Sequence, residues 1–222
     1  MCGKFTQMAT WAEVHAFSQP LTLTPEAATV TVTPMRFAKV LHLDESGVRR
    51  LSPMRWGFAD RRAENPSRPK HMHARSETID EKPTFAEAFA QRRGVLPVAT
   101  FNEGLELANG KTQQWTITPP APLGIAVIYE EWRKDDETLL TFVMATTPPN
   151  PLIARITDRM PAILAFDDWP LWLGETDAPR EAVKALLAPH DDAGAWAMAE
   201  EAKAGRGRPP RRAGAASQPP LL

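Results

Sequence analysis

Residues 123–132, LGIAVIYEEW, and residues 138–147, TLLTFVMATT, are the two most strand-like runs in the chain. Each is apolar, of strand length and rich in β-branched or aromatic residues. Proline-rich turns bracket them: Thr118-Pro119-Pro120-Ala121-Pro122 before the first and Thr147-Pro148-Pro149-Asn150-Pro151 after the second. The chain holds 22 prolines, about twice the usual share of roughly 5%. Proline at that density excludes a helical bundle and favours many short strands with tight connections. Working outward, GVLPVATFNE (94–103) and TQQWTIT (112–118) read as paired strands across the Asn109-Gly110 turn. AKVLHLD (38–44) and VRRLSPMRWGF (48–58) read as a hairpin turning at Glu45-Ser46-Gly47, and the alternation around Val30 and Val32 reads as another strand. Helical spacing appears at 10–19, where Thr10 caps Trp11, Val14 and Phe17. It recurs from about Thr84 to Arg92, with Phe85, Ala88 and Phe89 on one face, and in PREAVKALLA (179–188). Residues 59–70, ADRRAENPSRPK, read as an exposed basic loop. There is no internal repeat.

The 222 residues suit one large domain or two small ones. Lys plus Arg number 26 against 27 Asp plus Glu, so the net charge is −1 and any basic surface must be local. No run approaches the roughly 18 apolar residues of a membrane span, and MCGKFTQMAT lacks the layout of a secretory signal. A single cysteine excludes an intramolecular disulfide and a multi-cysteine zinc site, so the expected compartment is the reducing cytosol. From Lys203, KAGRGRPPRRAGAASQPPLL carries five basic residues and no acidic one. It reads as a disordered tail, either a solvated terminus or a segment that touches nucleic-acid phosphate.

The lone cysteine, Cys2, follows the initiator Met. Removal of Met1 would leave an α-amine and a thiol on one residue, with reference pKa values near ~7.7–8.0 and ~8.5. Such a pair serves as an N-terminal nucleophile, with the amine as base for the thiol. It also condenses with an aldehyde, the amine giving a Schiff base that the thiol closes to a thiazolidine. His71 and His73 stand two apart, but with one cysteine and no third ligand in reach, no metal site is expected. No phosphate-cradling glycine loop appears, so no cofactor is expected.

Six segments, in order, carry a family resemblance. They are Met1-Cys2-Gly3-Lys4-Phe5, Met54-Arg55-Trp56-Gly57-Phe58, Ala74-Arg75-Ser76-Glu77-Thr78, Arg93-Gly94-Val95-Leu96-Pro97 through Phe101-Asn102-Glu103, Ala126-Val127-Ile128-Tyr129-Glu130-Glu131-Trp132, and Asp158-Arg159-Met160-Pro161-Ala162-Ile163-Leu164. Together they resemble the SRAP family (SOS response-associated peptidase, or abasic-site processing proteins), matching its MCGRF, tryptophan-glycine, NARSET, RCLxPADGWYEW, AGLWEEW and HDRMPVIL segments over residues 1 to about 173. The resemblance implies a single α+β domain, residues 1–200, of curved, barrel-like antiparallel sheets flanked by short helices, ahead of a tail at 203–222. It implies a monomer that binds single-stranded DNA in a basic groove and captures abasic sites covalently through Cys2. The matching positions make Cys2 the nucleophile and Glu103 the catalytic glutamate, able to deliver the proton that a carbinolamine needs to lose water. Lys4, Arg75 and Arg159 match DNA-facing basic positions, and Arg61 and Arg62 add charge nearby. Arg75 reads equally as a phosphate contact or as a partner for Glu77. Trp56 reads as a base-stacking face or as a buried strand tryptophan. The expected location is the cytoplasm, at the nucleoid when on DNA.

The chain departs from the pattern where the chemistry is done. The asparagine that opens NARSET is His73, and the histidine of HDRMP is Thr157, which cannot titrate near neutrality. Asp60-Arg61-Arg62 replaces a proline-tryptophan segment, Ala99, Thr100 and Gly104 replace residues around the glutamate, and the C-terminal valine-asparagine motif is missing. Two readings follow. In one, Cys2 and Glu103 suffice and His73 takes over part of the missing imidazole's work. In the other, the fold and groove persist in a catalytically weakened single-strand or junction binder. A self-processing peptidase acting only on its own N-terminus, and a purely structural domain, are further classes.

Overall fold

The computed structural model describes residues 2–7, 30–191 and 193–201. The helix expected over 10–19 and the tail from Lys203 lie outside the described residues. The strands, in chain order, are β1 (Lys4–Gln7), β2 (Val30–Val32), β3 (Phe37–Leu43), β4 (Arg49–Trp56), β5 (His73–Arg75) and β6 (Arg93–Val98). There follow β7 (Thr100–Glu106), β8 (Thr112–Thr118), β9 (Leu123–Lys134), β10 (Glu137–Thr147), β11 (Met160–Pro161), β12 (Ile163–Leu164) and β13 (Ala197–Glu200). The α-helices are short: α1 (Ala86–Gln91), α2 (Trp169–Leu173) and α3 (Arg180–Ala185). None is long and apolar enough to cross a membrane.

The LGIAVIYEEW and TLLTFVMATT runs pair as the antiparallel strands β9 and β10, with Val127 opposite Met144. The pairings β9–β6, β6–β3, β3–β4 and β4–β10 then return to the start, so five strands close into a barrel. All of these contacts are antiparallel except β4–β10, which is parallel; β5 also runs parallel to β10. A second, antiparallel sheet lies in the order β13-β8-β7-β1-β2. The α+β class with curved, barrel-like sheets is therefore the architecture observed.

Two cores explain the uninterrupted apolar runs. Ile125, Val127, Phe142 and Met144 join a core shared with the second sheet and with Phe5, Trp56 and Cys2. Their neighbours Ala126, Ile128, Val143 and Ala145 point the other way, into a core beneath the helices with Phe89, Trp169 and Trp172. Side chains alternate along a strand, so strands buried on both faces lose the polar half of their pattern. Gly124 shows how tight this packing is: a Cβ there would lie 2.5 Å from the Trp169 ring.

GVLPVATFNE is not a single strand. It divides at Ala99 into β6, which joins the barrel, and β7, which joins the second sheet beside β1 and β8. Buried residues on both sides, Gly94 to Val98 and Phe101 to Glu103, mask the break, which falls at the half-buried Ala99 and Thr100. Residues 84–92 form a shorter helix than their spacing predicts, and Trp169–Leu173 and Ala197–Glu200 are elements the pattern did not announce.

Candidate active site around Cys2

β1 lies between β2 and β7, with Lys4 opposite Asn102 and Phe5 opposite Phe101. Continued by one residue, this register sets Gly3 opposite Glu103 and brings the neighbouring Cys2 close to that carboxyl. Phe5 is fully buried and packs on Trp56 at a ring-centroid separation of 5.3 Å. Trp56 also meets the His73 ring edge-on at 5.7 Å and stacks with Phe142 at 6.4 Å. Its Nε1–H donates to the Met72 carbonyl at 2.9 Å. Trp56 is thus the pillar under both Phe5 and His73, and it is fully buried. The stacking role is corrected on that ground, since no face of the indole is open to a base.

Cys2 is 1% exposed and Glu103 is fully buried. The Cys2 backbone N–H favours the charged form of the Glu103 carboxyl. Burial pushes that carboxyl up to about 7, with the negative charge of Asp158 adding to the rise and the Cys2 backbone N–H opposing it. Burial, and then the Glu103 charge, push the Cys2 thiol well above its ordinary range. Its Sγ donates to the Lys4 carbonyl at 3.3 Å. His73 Nε2 lies 2.8 Å from the Cys2 carbonyl oxygen. Burial lowers its pKa to about 4, so the ring is neutral at pH 7 and must carry its proton on Nε2 to bond a carbonyl. In this state the imidazole is a neutral donor to the Cys2 carbonyl.

The other expected residues divide. Arg75 is exposed; side chains two apart on β5 share a face, so it stands roughly 7 Å along from His73. Glu77 is taken by a different arginine: Arg159 grips both of its carboxylate oxygens at 2.5 and 2.8 Å and donates to the Thr146 carbonyl at 2.6 Å. Arg159 is 8% exposed, and its guanidinium ties the 157–161 segment to the turn after β5. Thr157 is half-buried, and its N–H bonds the Ile153 carbonyl at 3.0 Å. Arg61 bridges Glu87 at 2.7 Å and Glu130 at 3.4 Å in a cluster with Arg92. Arg62 is exposed. Lys4 meets Glu201 at 2.5 Å.

Three residues at the site went unread in the sequence. Asp158 acts on Glu103 through space, and its place in Asp158-Arg159-Met160-Pro161 was the available signal. Asn102, 1% exposed, adjoins Glu103 and donates to Thr116 Oγ1 at 2.8 Å and to Glu201 Oε1 at 2.9 Å. Glu201 lies 99 residues from Asn102 and had no local signal at all.

Comparison with known proteins agrees with this arrangement. The family model for SOS response associated peptidase (SRAP) matches residues 1–202. Abasic site processing protein YoaM of Bacillus subtilis (strain 168) is 30% identical over 199 residues, covering 86% of this chain and 87% of that protein. Abasic site processing protein YoqW of Bacillus phage SPbeta is 29% identical over 199 residues, covering 86% and 88%. Among solved structures, a protein from Bordetella bronchiseptica superposes with a TM-score of 0.75 at 21% identity over 90% of this chain and 100% of its own. Another, from Bacteroides thetaiotaomicron, gives 0.72 at 21% identity over 91% and 93%. The match across nearly all the described residues, with Cys2 and Glu103 in buried contact, makes this chain a member of the SOS response associated peptidase (SRAP) family.

Proposed function

We propose that this protein processes abasic sites in single-stranded DNA, capturing the ring-opened sugar on Cys2 after Met1 has been removed. One observation carries the reading: Cys2, at the head of β1, is buried together with the Glu103 carboxyl of β7, which is held near pKa 7. Hydrolysis of the Met1–Cys2 bond consumes one water, releases methionine and turns the Cys2 nitrogen into an α-amine near that carboxyl. Self-cleavage through the Cys2 thiol is the peptidase half of the proposal. The names of the relatives, abasic site processing proteins, supply the substrate class.

The amine adds to the sugar aldehyde to give a carbinolamine. Protonated Glu103 donates to its hydroxyl, which leaves as water and yields the Schiff base. The thiol then adds to the C=N carbon, and its proton passes through Glu103 to the nitrogen. Aldehyde plus aminothiol thus become a thiazolidine plus one water. The raised thiol pKa fits this order, because the sulfur stays protonated until the imine is next to it. His73 holds the Cys2 carbonyl and so aims both nucleophiles. Arg75 and Lys4 would take DNA phosphates. The protein would act as a monomer in the cytoplasm, at the nucleoid when engaged.

The test is incubation with a single-stranded oligonucleotide bearing one abasic site, followed by denaturing electrophoresis. Wild-type protein gives a shifted band, while Cys2→Ala and an undamaged oligonucleotide give none. A band that persists with Cys2→Ala assigns the capture to another amine and overturns the proposal.

A further inference from the structure

Beside Cys2, three donors converge on one oxygen. Lys4 Nζ, Asn102 Nδ2 and Thr116 Oγ1 lie 2.5, 2.9 and 3.3 Å from Glu201 Oε1. An ammonium, an amide and a hydroxyl on three neighbouring strands aimed at a single anionic oxygen form a cradle for an anion. Two of the three are set by the sheet itself. Asn102 is 1% exposed and is further held by Thr116, and Thr116 lies opposite Asn102 in the β7–β8 register. The occupant is held differently. Glu201 follows β13, which among the described residues pairs only with β8, and its backbone is tied by its N–H to the Gln114 carbonyl at 2.8 Å. The Lys4 and Glu201 side chains are each 30% exposed. A partly solvated ion pair at a sheet edge contributes little to stability and exchanges readily with another anion.

We propose that Lys4, Asn102 and Thr116 form a phosphodiester subsite, and that Glu201 is an internal anion filling it until DNA displaces it. The proposal rests on the DNA-processing reading above and adds the control of access to that same site. Position along the chain supports it: the Cys2 thiol donates to the Lys4 carbonyl, so the residue that carries the ammonium also holds the thiol. The carboxylate and the phosphodiester compete for the same three donors, so Glu201 weakens non-specific binding along intact strands.

The test compares full-length wild type with Glu201→Gln by fluorescence anisotropy on an undamaged oligothymidylate across a salt series. Glu201→Gln should bind about 3–10-fold more tightly, since it releases the Lys4 ammonium. Its salt slope should steepen by about 0.7, the increment for one further phosphate contact on a single strand. Adding Lys4→Met should abolish both gains. Glu201→Ala should give the same direction, which guards against a fold effect peculiar to glutamine. Unchanged or weaker binding by both Glu201 variants, with wild-type binding intact, overturns the subsite. Absence of binding by wild type and both variants overturns the DNA reading and the subsite with it. Binding by the variants alone supports a fully closed cradle in the wild type.

Discussion

Glu103 and His73 flank the same residue, and burial moves them in opposite directions because one ionises to an anion and the other to a cation. The Glu103 carboxyl, near 7 in the fold against 4.5 ordinarily, favours the protonated form. Its stabilising contribution is complete below pH ~4.5 and is lost as pH rises through 7. Glu103→Gln should therefore raise thermal stability at pH 8 by on the order of 1–3 kcal/mol, with little change at pH 4.5; unfolding scans at both pH values check this. The same variant should slow abasic-site capture by about 10²–10⁴-fold. His73, near 4 against 6.5, contributes stability that is present above pH ~6.5 and is lost as pH falls through 4. His73→Asn keeps a donor to the Cys2 carbonyl but cannot titrate. It should flatten the fall in stability between pH 6.5 and 4 while holding the capture rate within about ten-fold. A loss as large as that of Glu103→Gln would return His73 to acid–base work. Cys2 and Glu103 were legible as residue types in a recognisable order. The state of His73 was not, because it depends on the burial supplied by Trp56 from a distant strand.

β1 is the element on which the site depends. It brings four residues at the chain's start between two strands, and the register Lys4–Asn102 is what sets Cys2 beside Glu103. Its anchor is Phe5, fully buried on Trp56. Phe5→Ala should cost about 3–5 kcal/mol, read as a fall in the urea midpoint, and should lower capture by unseating Cys2. The strand-like runs at 123–132 and 138–147 were readable because both faces are apolar, and they became β9 and β10. The division of 94–103 between two sheets was hidden because only the half-buried Ala99 and Thr100 separate two buried stretches, too short a gap for periodicity to mark. The short α2 helix was equally unmarked: five residues are too few for a helical repeat to show.

At the scale of the whole molecule, a net charge of −1 means that attraction to DNA must be local. Ion pairing narrows the expected basic set, because Arg159 and Arg61 are committed to Glu77 and to the Glu87–Glu130 pair. Arg75, exposed on the His73 face of β5, and Lys4 would carry the weight that remains. Arg75→Ala should weaken single-strand binding by ~1–3 kcal/mol and reduce the salt slope, measured by anisotropy at several salt concentrations. These pairings were beyond the sequence, since Arg159 and Glu77 are 82 residues apart. The central claim is that both the α-amine and the thiol of Cys2 are consumed in capture, and the most direct measurement is peptide-level mass spectrometry of the adduct after iodoacetamide. The account predicts a peptide beginning at Cys2 that carries the sugar fragment less one water, with its sulfur unalkylated. An adduct on Lys4, a retained Met1, or an adducted Cys2 whose thiol still alkylates would contradict it.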